Sequence, residues 1–328
     1  MMLNSNNKLI GGEPEIADNG QFYGITNSGR SSLRWAIESM RLQGKRILVP
    51  DFLCQIVIDV LLEYKVQLSF YTIQDDFEFC LLNKTENIDA VYLVKYFGCE
   101  SESFLKCISS SKKPLIIDDV FGVELNKIKT DIHWCYFNSL RKITPVSDYS
   151  NLISNYPLTD VNKKRLVSFS SLKYKAKANK FNFTQRSIGN ESDYLNDFSN
   201  AESILDNNIG IFTPEDKSIF LARDFYQGIE KERRVRLDNL NIAKEKLHKS
   251  SFIDIKTNFP TFLPILLSER DKIRSQLMSY SMFLAVHWPR VAGSSNTLPD
   301  RILSLPLDSR YTKKDIEKIC EVINALNG

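Results

Sequence analysis

Three short runs of this sequence carry residue types that can do chemistry. The first is Asn27-Ser28-Gly29-Arg30-Ser31-Ser32, small residues with free backbone N–H groups just before an apolar-periodic stretch. At a helix N-terminus such a run makes an anion site suited to phosphate, and the same residues equally make an ordinary Ser/Asn helix cap. The second is Leu115-Ile116-Ile117-Asp118-Asp119, an apolar run ending in two carboxylates. Ligands of open α/β sheets bind beyond the carboxyl ends of strands, though a strand-end Asp also serves as a cap. The third is Ser139-Leu140-Arg141-Lys142, directly after the run Trp134–Phe137. A lysine just past a buried strand can lose hydration and act as a nucleophilic amine, whereas most lysines are surface charges. Taken singly, each run leaves both uses open.

The elements that must position these residues are legible as an alternation. Arg30–Gln43 has Leu33, Ile37 and Met40 at helical spacing, with Gly44 placed to terminate it. Arg46–Pro50 reads as a buried strand, Phe52–Tyr64 as a helix and Gln67–Tyr71 as a strand. Ala90–Val94, Leu115–Ile117 and Trp134–Phe137 are further strands, with a helix over Ser101–Ser110. Strands separated by helices of this length imply βαβ units and a mostly parallel sheet. Beyond about residue 186 the pattern changes. A long helical stretch, Glu215–His248, broken at most once, precedes a strand (Phe262–Leu267), a helix from about Glu269 to Ser279, a strand (Phe283–Val286), an apolar run (Ile302–Leu305) and a terminal helix, Lys313–Leu326. The cluster Lys231–Arg236 reads as a solvated helix face, with an anion site as the alternative.

Composition narrows the class. The chain has 328 residues, 43% hydrophobic and 25% charged, with 20 Phe, 13 Tyr and 3 Trp, too many aromatics for a disordered chain. Net charge is +3 and there is no long basic run, so no nucleic-acid partner is expected. The longest apolar stretches, such as Phe259–Leu267, fall short of the roughly 18–20 residues a membrane span needs. The opening MMLNSNNKLIGG has one lysine and no apolar core, so no signal peptide and a cytoplasmic location are expected. Six scattered cysteines without a CxxC, and three histidines, argue against a zinc site or a disulfide framework.

In this order, a phosphate loop before the first helix, a strand-end Asp and a lysine some two dozen residues on resemble the layout of fold-type-I pyridoxal 5'-phosphate (PLP) enzymes. The wording is similar to the DegT/StrS-type nucleotide-sugar aminotransferases, in particular a branch with a Ser-Leu-Arg-Lys lysine motif. The matching stretches are NSGRSSL (27–33), ILVPDFLCQIV (47–57), FYTI (70–73), LIIDD (115–119), YFNSLRKITPVSD (136–148), VHWP (286–289) and ILSLPLDSRY (302–311), which span nearly the whole chain.

The resemblance implies an α/β fold of that type, with a mostly parallel central sheet in a large PLP-binding domain (1–205) and a small C-terminal α/β domain (206–328). It implies that Lys142 joins the cofactor covalently, that Asp119 pairs with the pyridinium nitrogen, and that Gly29, Arg30 and Ser31 form the phosphate turn, with Ser139 adding a hydroxyl. Cys54 stands where the family places an aromatic that stacks on the ring. The expected activity is amino transfer from an amino acid, glutamate as the leading donor, to a nucleotide-linked keto-sugar in polysaccharide or natural-product biosynthesis. A homodimer is expected, and small-molecule substrates without nucleic acid or membrane as partners.

The chain departs from the family pattern at three points. Gln or His is usual three positions after the Asp, where Gly122 stands here, or Phe121 if the Asp is Asp118. Tyr149-Ser150-Asn151 replaces the usual Gly-Gly, and Cys54 replaces the aromatic. These departures imply a cofactor held mainly by its phosphate and by Lys142, and tightened by Gly122→Gln with Cys54→Phe. They also keep two alternatives in view: a PLP enzyme of another reaction type, such as a dehydratase or decarboxylase, and a homologue without turnover.

Overall fold

The computed structural model describes residues 12–81, 84–126, 128–291 and 293–327; the stretch read as lacking a leader lies, apart from Gly12, outside them. The first half of the chain builds one sheet. Its elements are β1 (Phe22–Thr26), α1 (Gly29–Ser39), β2 (Arg46–Pro50), α2 (Gln55–Glu63) and β3 (Gln67–Tyr71). They continue with β4 (Ala90–Val94), α3 (Glu102–Ser110), β5 (Leu115–Asp119), β6 (Trp134–Asn138) and β7 (Ser150–Ser154). The strand order is β1-β7-β6-β5-β4-β2-β3. β2, β3, β4, β5 and β6 pair in parallel, while β7 is antiparallel to both β6 and β1. Six strands therefore run one way and β7 alone runs the other, the architecture expected from the alternation of strands and helices.

Every residue of β4, β5 and β6 is buried. Strands of a parallel sheet are covered on both faces, so they read as unbroken apolar runs, and the carboxylates ending β5 stand out for that reason. α1 starts where Ser28 caps the Ser31 N–H, and ends at Ser39, earlier than Gly44 suggested. Arg41 already takes a left-handed φ of 54°, and Gly44, at 71°, makes the turn into β2 instead.

The second half continues with β8 (Lys163–Arg165), α4 (Val167–Arg186), α5 (Glu191–Asp206) and β9 (Ile211–Thr213). Then come α6 (Asp216–Gln227) and α7 (Ile229–Lys246), the long helical stretch broken once, at Gly228. β10 (Phe262–Leu266), α8 (Arg270–Ser279), α9 (Leu298–Arg301), β11 (Ile302–Pro306) and α10 (Lys313–Asn327) close the chain. β10 and β11 pair antiparallel, and β8 pairs in parallel with β9. The stretch expected as a strand at Phe283–Val286 makes one isolated bridge, Ala285 to Ser304. In the Lys231–Arg236 cluster, Lys231 is exposed as expected, but Arg236 is buried, pairing with Glu232 at 2.8 Å. Among the described residues no helix is long and apolar enough to cross a membrane.

Candidate active site

The carboxyl ends of β5 and β6 open onto a cavity of about 260 Å³. Gly29 and Arg30 border it from the start of α1, Cys54 from the start of α2, and Asp118 and Val120 from the end of β5. Ser139, Arg141 and Lys142 enter from the turn after β6, with Glu202 from α5 and Trp288 from the segment before α9. Five expected site residues, Gly29, Arg30, Cys54, Ser139 and Lys142, thus share one cavity.

Two do not. Successive side chains of a strand point to opposite faces, so only one of Asp118 and Asp119 can face the cavity. It is Asp118, and the expectation for Asp119 is corrected. Asp119 lies wholly buried on the other face, 3.3 Å from Lys95 Nζ, and accepts from the Tyr136 hydroxyl at 3.2 Å. Ser31 is the second correction: its hydroxyl donates to Asn27 Oδ1 at 2.8 Å and accepts from the Phe212 N–H at 3.2 Å, while its own N–H goes to the Ser28 cap. Nothing of Ser31 borders the cavity.

Gly122 also gains a physical reason. A Cβ there would lie 2.0 Å from Asp119 Oδ2, so the position must be glycine for as long as Asp119 packs against it. Gly122→Gln, expected from the resemblance to tighten the cofactor, would instead displace Asp119.

The electrostatics of the cavity follow from burial. Burial, the largest influence, lowers the Lys142 pKa from its ordinary value; Cys54 and Asp118 pull it back up, and Arg141 pushes it further down. The amine therefore loses its proton more readily than a surface lysine. Burial raises the Asp118 carboxyl to about 6, against the Tyr92 hydroxyl and Lys142, which favour its ionised form. Tyr92 donates to Asp118 Oδ2 at 2.6 Å and the Val120 N–H to Oδ1 at 3.1 Å, which fixes the carboxylate facing the cavity.

Around Gly29 and Ser139 positive charge accumulates. Glu202 accepts from Arg141 at 2.7 Å, lies 3.5 Å from Arg30 and is bound by Lys173; Arg30 also pairs with Asp206. Burial alone would raise the Glu202 pKa, but Arg141 and Lys173 hold it well below the usual carboxylate range. Beyond them, Lys177 donates to the carbonyls of Arg141, Thr144 and Val146 at 2.9, 2.9 and 2.6 Å, clasping the turn that carries Lys142. Ser139 Oγ and Arg141 Nε are buried with no partner among the described residues. An unpaired buried hydroxyl beside two guanidinium groups and a helix N-terminus is the donor set of a phosphate site.

PLP, which the resemblance implies, can be tested against these residues. They fit it: an amine losing its charge, a carboxylate for a ring nitrogen, and unpaired donors for a phosphate border one cavity of matching size. Glu202 was not singled out in the sequence, and Arg141 and Trp288 stood there only inside SLRK and VHWP, with no role assigned. Glu202 and Arg141 acquire their role from partners 61 residues apart, for which there is no local signal.

The fold is that of the PLP-dependent aminotransferases. A DegT/DnrJ/EryC1/StrS aminotransferase from Brucella abortus superposes with a TM-score of 0.63 at 15% identity, over 93% of this chain and 86% of that one. PseC of Helicobacter pylori, an aminotransferase involved in the biosynthesis of pseudoaminic acid, gives 0.65 at 14% identity over 93% and 86%. DesI, solved in the presence of its TDP-sugar product, gives 0.61 at 12% identity over 92% and 80%. No family model matches the chain, and no curated protein matches it in sequence.

Proposed function

We propose that this chain is a PLP-dependent aminotransferase that moves an amino group from an amino acid, glutamate as the first donor to try, onto a nucleotide-linked keto-sugar. The observation that carries the reading is the meeting of Lys142 and Asp118 with the unpaired Ser139 hydroxyl in one cavity. DesI, which has a TDP-sugar product, and PseC, an aminotransferase of pseudoaminic acid biosynthesis, support the substrate class by likeness of fold.

Bound PLP would supply an electron sink for bonds at a substrate carbon. In this reading Ser139, Arg30 and the N–H groups at Gly29 hold its phosphate. Asp118, locked by Tyr92 and Val120, would pair with the ring nitrogen and favour its protonated form. Lys142 is the nucleophilic amine, and once free its Nζ takes a proton from the donor's carbon and returns one to the sugar carbon. Burial suits the amine to both tasks, because a permanently charged ammonium could do neither. Lys177, by holding three carbonyls of the turn, fixes where that amine stands.

The two-domain division at 205/206 and the homodimer belong to the same proposal. Two-fold association is the commonest oligomer, and sedimentation at twice the monomer mass is the expected result. The central test is spectroscopic. The purified protein with PLP should show a visible absorption band that borohydride abolishes, with the label on Lys142, and glutamate should shift that band. No band would overturn the reading in favour of a homologue without turnover. A band that glutamate leaves unchanged would point to another PLP reaction or another donor.

A further inference from the structure

Trp288 has a left-handed backbone, φ 49°, a conformation that bulky residues rarely adopt. Such strain persists only where the surroundings over-determine it, and it gathers at ligand sites. The surroundings here are specific. The indole centroid lies 5.0 Å from Phe97, 5.2 Å from Tyr96, 5.4 Å from Phe121 and 5.5 Å from Phe52. The segment is tied to β11 on either side of Val286, through the Ala285–Ser304 bridge and the 2.6 Å contact of His287 Nδ1 with Ser304 Oγ. For all this packing, Trp288 still borders the cavity that holds Lys142 and Asp118.

The other walls are mostly aliphatic or small: Cys54, Ile56, Val57, Val60 and Val120, with Phe137 the other aromatic side chain. A cavity of about 260 Å³ has room for one ring with its phosphate, and Trp288 lines it together with Lys142 and Asp118. We infer that Trp288 is the aromatic wall of the cofactor site, contacting the PLP ring from the β10–β11 side of the cavity. The inference rests on the PLP reading above. An electron-rich indole suits an electron-poor, protonated pyridine ring, and such contacts add to the area they bury. Trp288 thereby makes the aromatic contact that Cys54 cannot.

The probe is 4'-deoxypyridoxine 5'-phosphate, which has the ring and the phosphate but cannot join Lys142, so its affinity reports contact alone. Binding to the full-length protein is measured by equilibrium dialysis, with thermal unfolding as the check on folding. Trp288→Leu, which fills space without a π face, should weaken binding by about tenfold, and Trp288→Phe by much less. Trp288→Ala should weaken it at least as much as Trp288→Leu; if the alanine variant does not fold, the leucine and phenylalanine variants decide. Unchanged affinity in Trp288→Leu, or equal losses in Trp288→Leu and Trp288→Phe, would overturn the inference and leave the PLP reading standing. Failure of the unaltered protein to bind either the analogue or PLP would remove both.

Discussion

The two faces of β5 carry the same chemistry in opposite states. On one, Asp118 faces a cavity shared with Lys142, fixed by a tyrosine hydroxyl and a backbone N–H. On the other, Asp119 is sealed against Lys95, which also reaches Glu100 at 3.1 Å, with Gly122 packed on the carboxylate. Each face sets one buried carboxylate beside a lysine, Lys95 buried on one side and Lys142 open to the cavity on the other. What separates them is pairing: Lys95 is pinned in a closed ion pair and burial does not prevail over its partners, which raise its pKa. Lys142 has its pKa lowered, chiefly by desolvation, and is the amine that the proposed function makes reactive. Adjacent residues on one strand thus divide reactivity from stability.

The comparison is tested most severely by Lys142→Ala. It should abolish the borohydride-trapped label and all turnover while leaving thermal unfolding nearly unchanged, because Lys142 joins no salt bridge among the described residues, whereas Lys95 pairs with Asp119 and Glu100; Lys95→Ala should do the reverse. Next come the two aspartates. Asp118→Asn should lower turnover at least a hundredfold, as the loss of a preorganised charge at a reacting centre does, with little loss of stability. Asp119→Asn should cost about 2 kcal/mol in urea unfolding, since it breaks a buried charged contact, and should spare PLP binding. Equal effects of the two on turnover would erase the distinction between the faces.

A smaller effect is expected at Gly122. Gly122→Ala forces a Cβ against Asp119 and should destabilise by about 1–3 kcal/mol, detected as a lower unfolding midpoint with the cofactor band retained. The smallest effect is in pH. Burial raises Asp118 from 3.8 to about 6, so the folded chain binds that proton more tightly than the unfolded chain. The folded state of the cofactor-free protein therefore loses stability as pH rises through the window between those values. Asp118→Asn should flatten that part of the stability profile; an unchanged slope would mean that Asp118 is not the group responsible.

The sheet was legible because its strands are buried on both faces: RILVP, AVYLV, LIIDD and WCYF cannot be read as anything wet. β1 and β7 were not, since FYGIT has exposed Phe22, Tyr23 and Ile25 at the sheet edge and three of the five residues of SNLIS, Ser150, Asn151 and Ser154, are polar. α4 escaped for a related reason. The residues it buries include Ser170 and Lys173 beside Phe169 and Ala176, so no apolar stripe marks it. At the site, sequence supplied Lys142, Gly29, Arg30, Cys54 and Ser139, which share the cavity, and a pair of aspartates. It supplied the alternation of that pair but not its phase, because which face carries the cavity depends on what packs over the sheet. Trp288 was visible only as part of VHWP, its role set by aromatics as distant as Phe52.

The ring of charge around Glu202 has a consequence for how the molecule is made. Arg30 reaches Asp206 across 176 residues, and Arg141 reaches Glu202 across 61. Contacts of such long sequence separation are entropically slow to close and form after local βαβ pairing. The Gly29–Ser139 end of the cavity is therefore complete only when α5, which follows β1–β7 in the chain, docks against the start of α1 and the turn after β6. A chain leaving the ribosome presents Lys142 some sixty residues before Glu202, the carboxylate that gathers the cations, and an anion binding there would latch α5 to the earlier part of the chain.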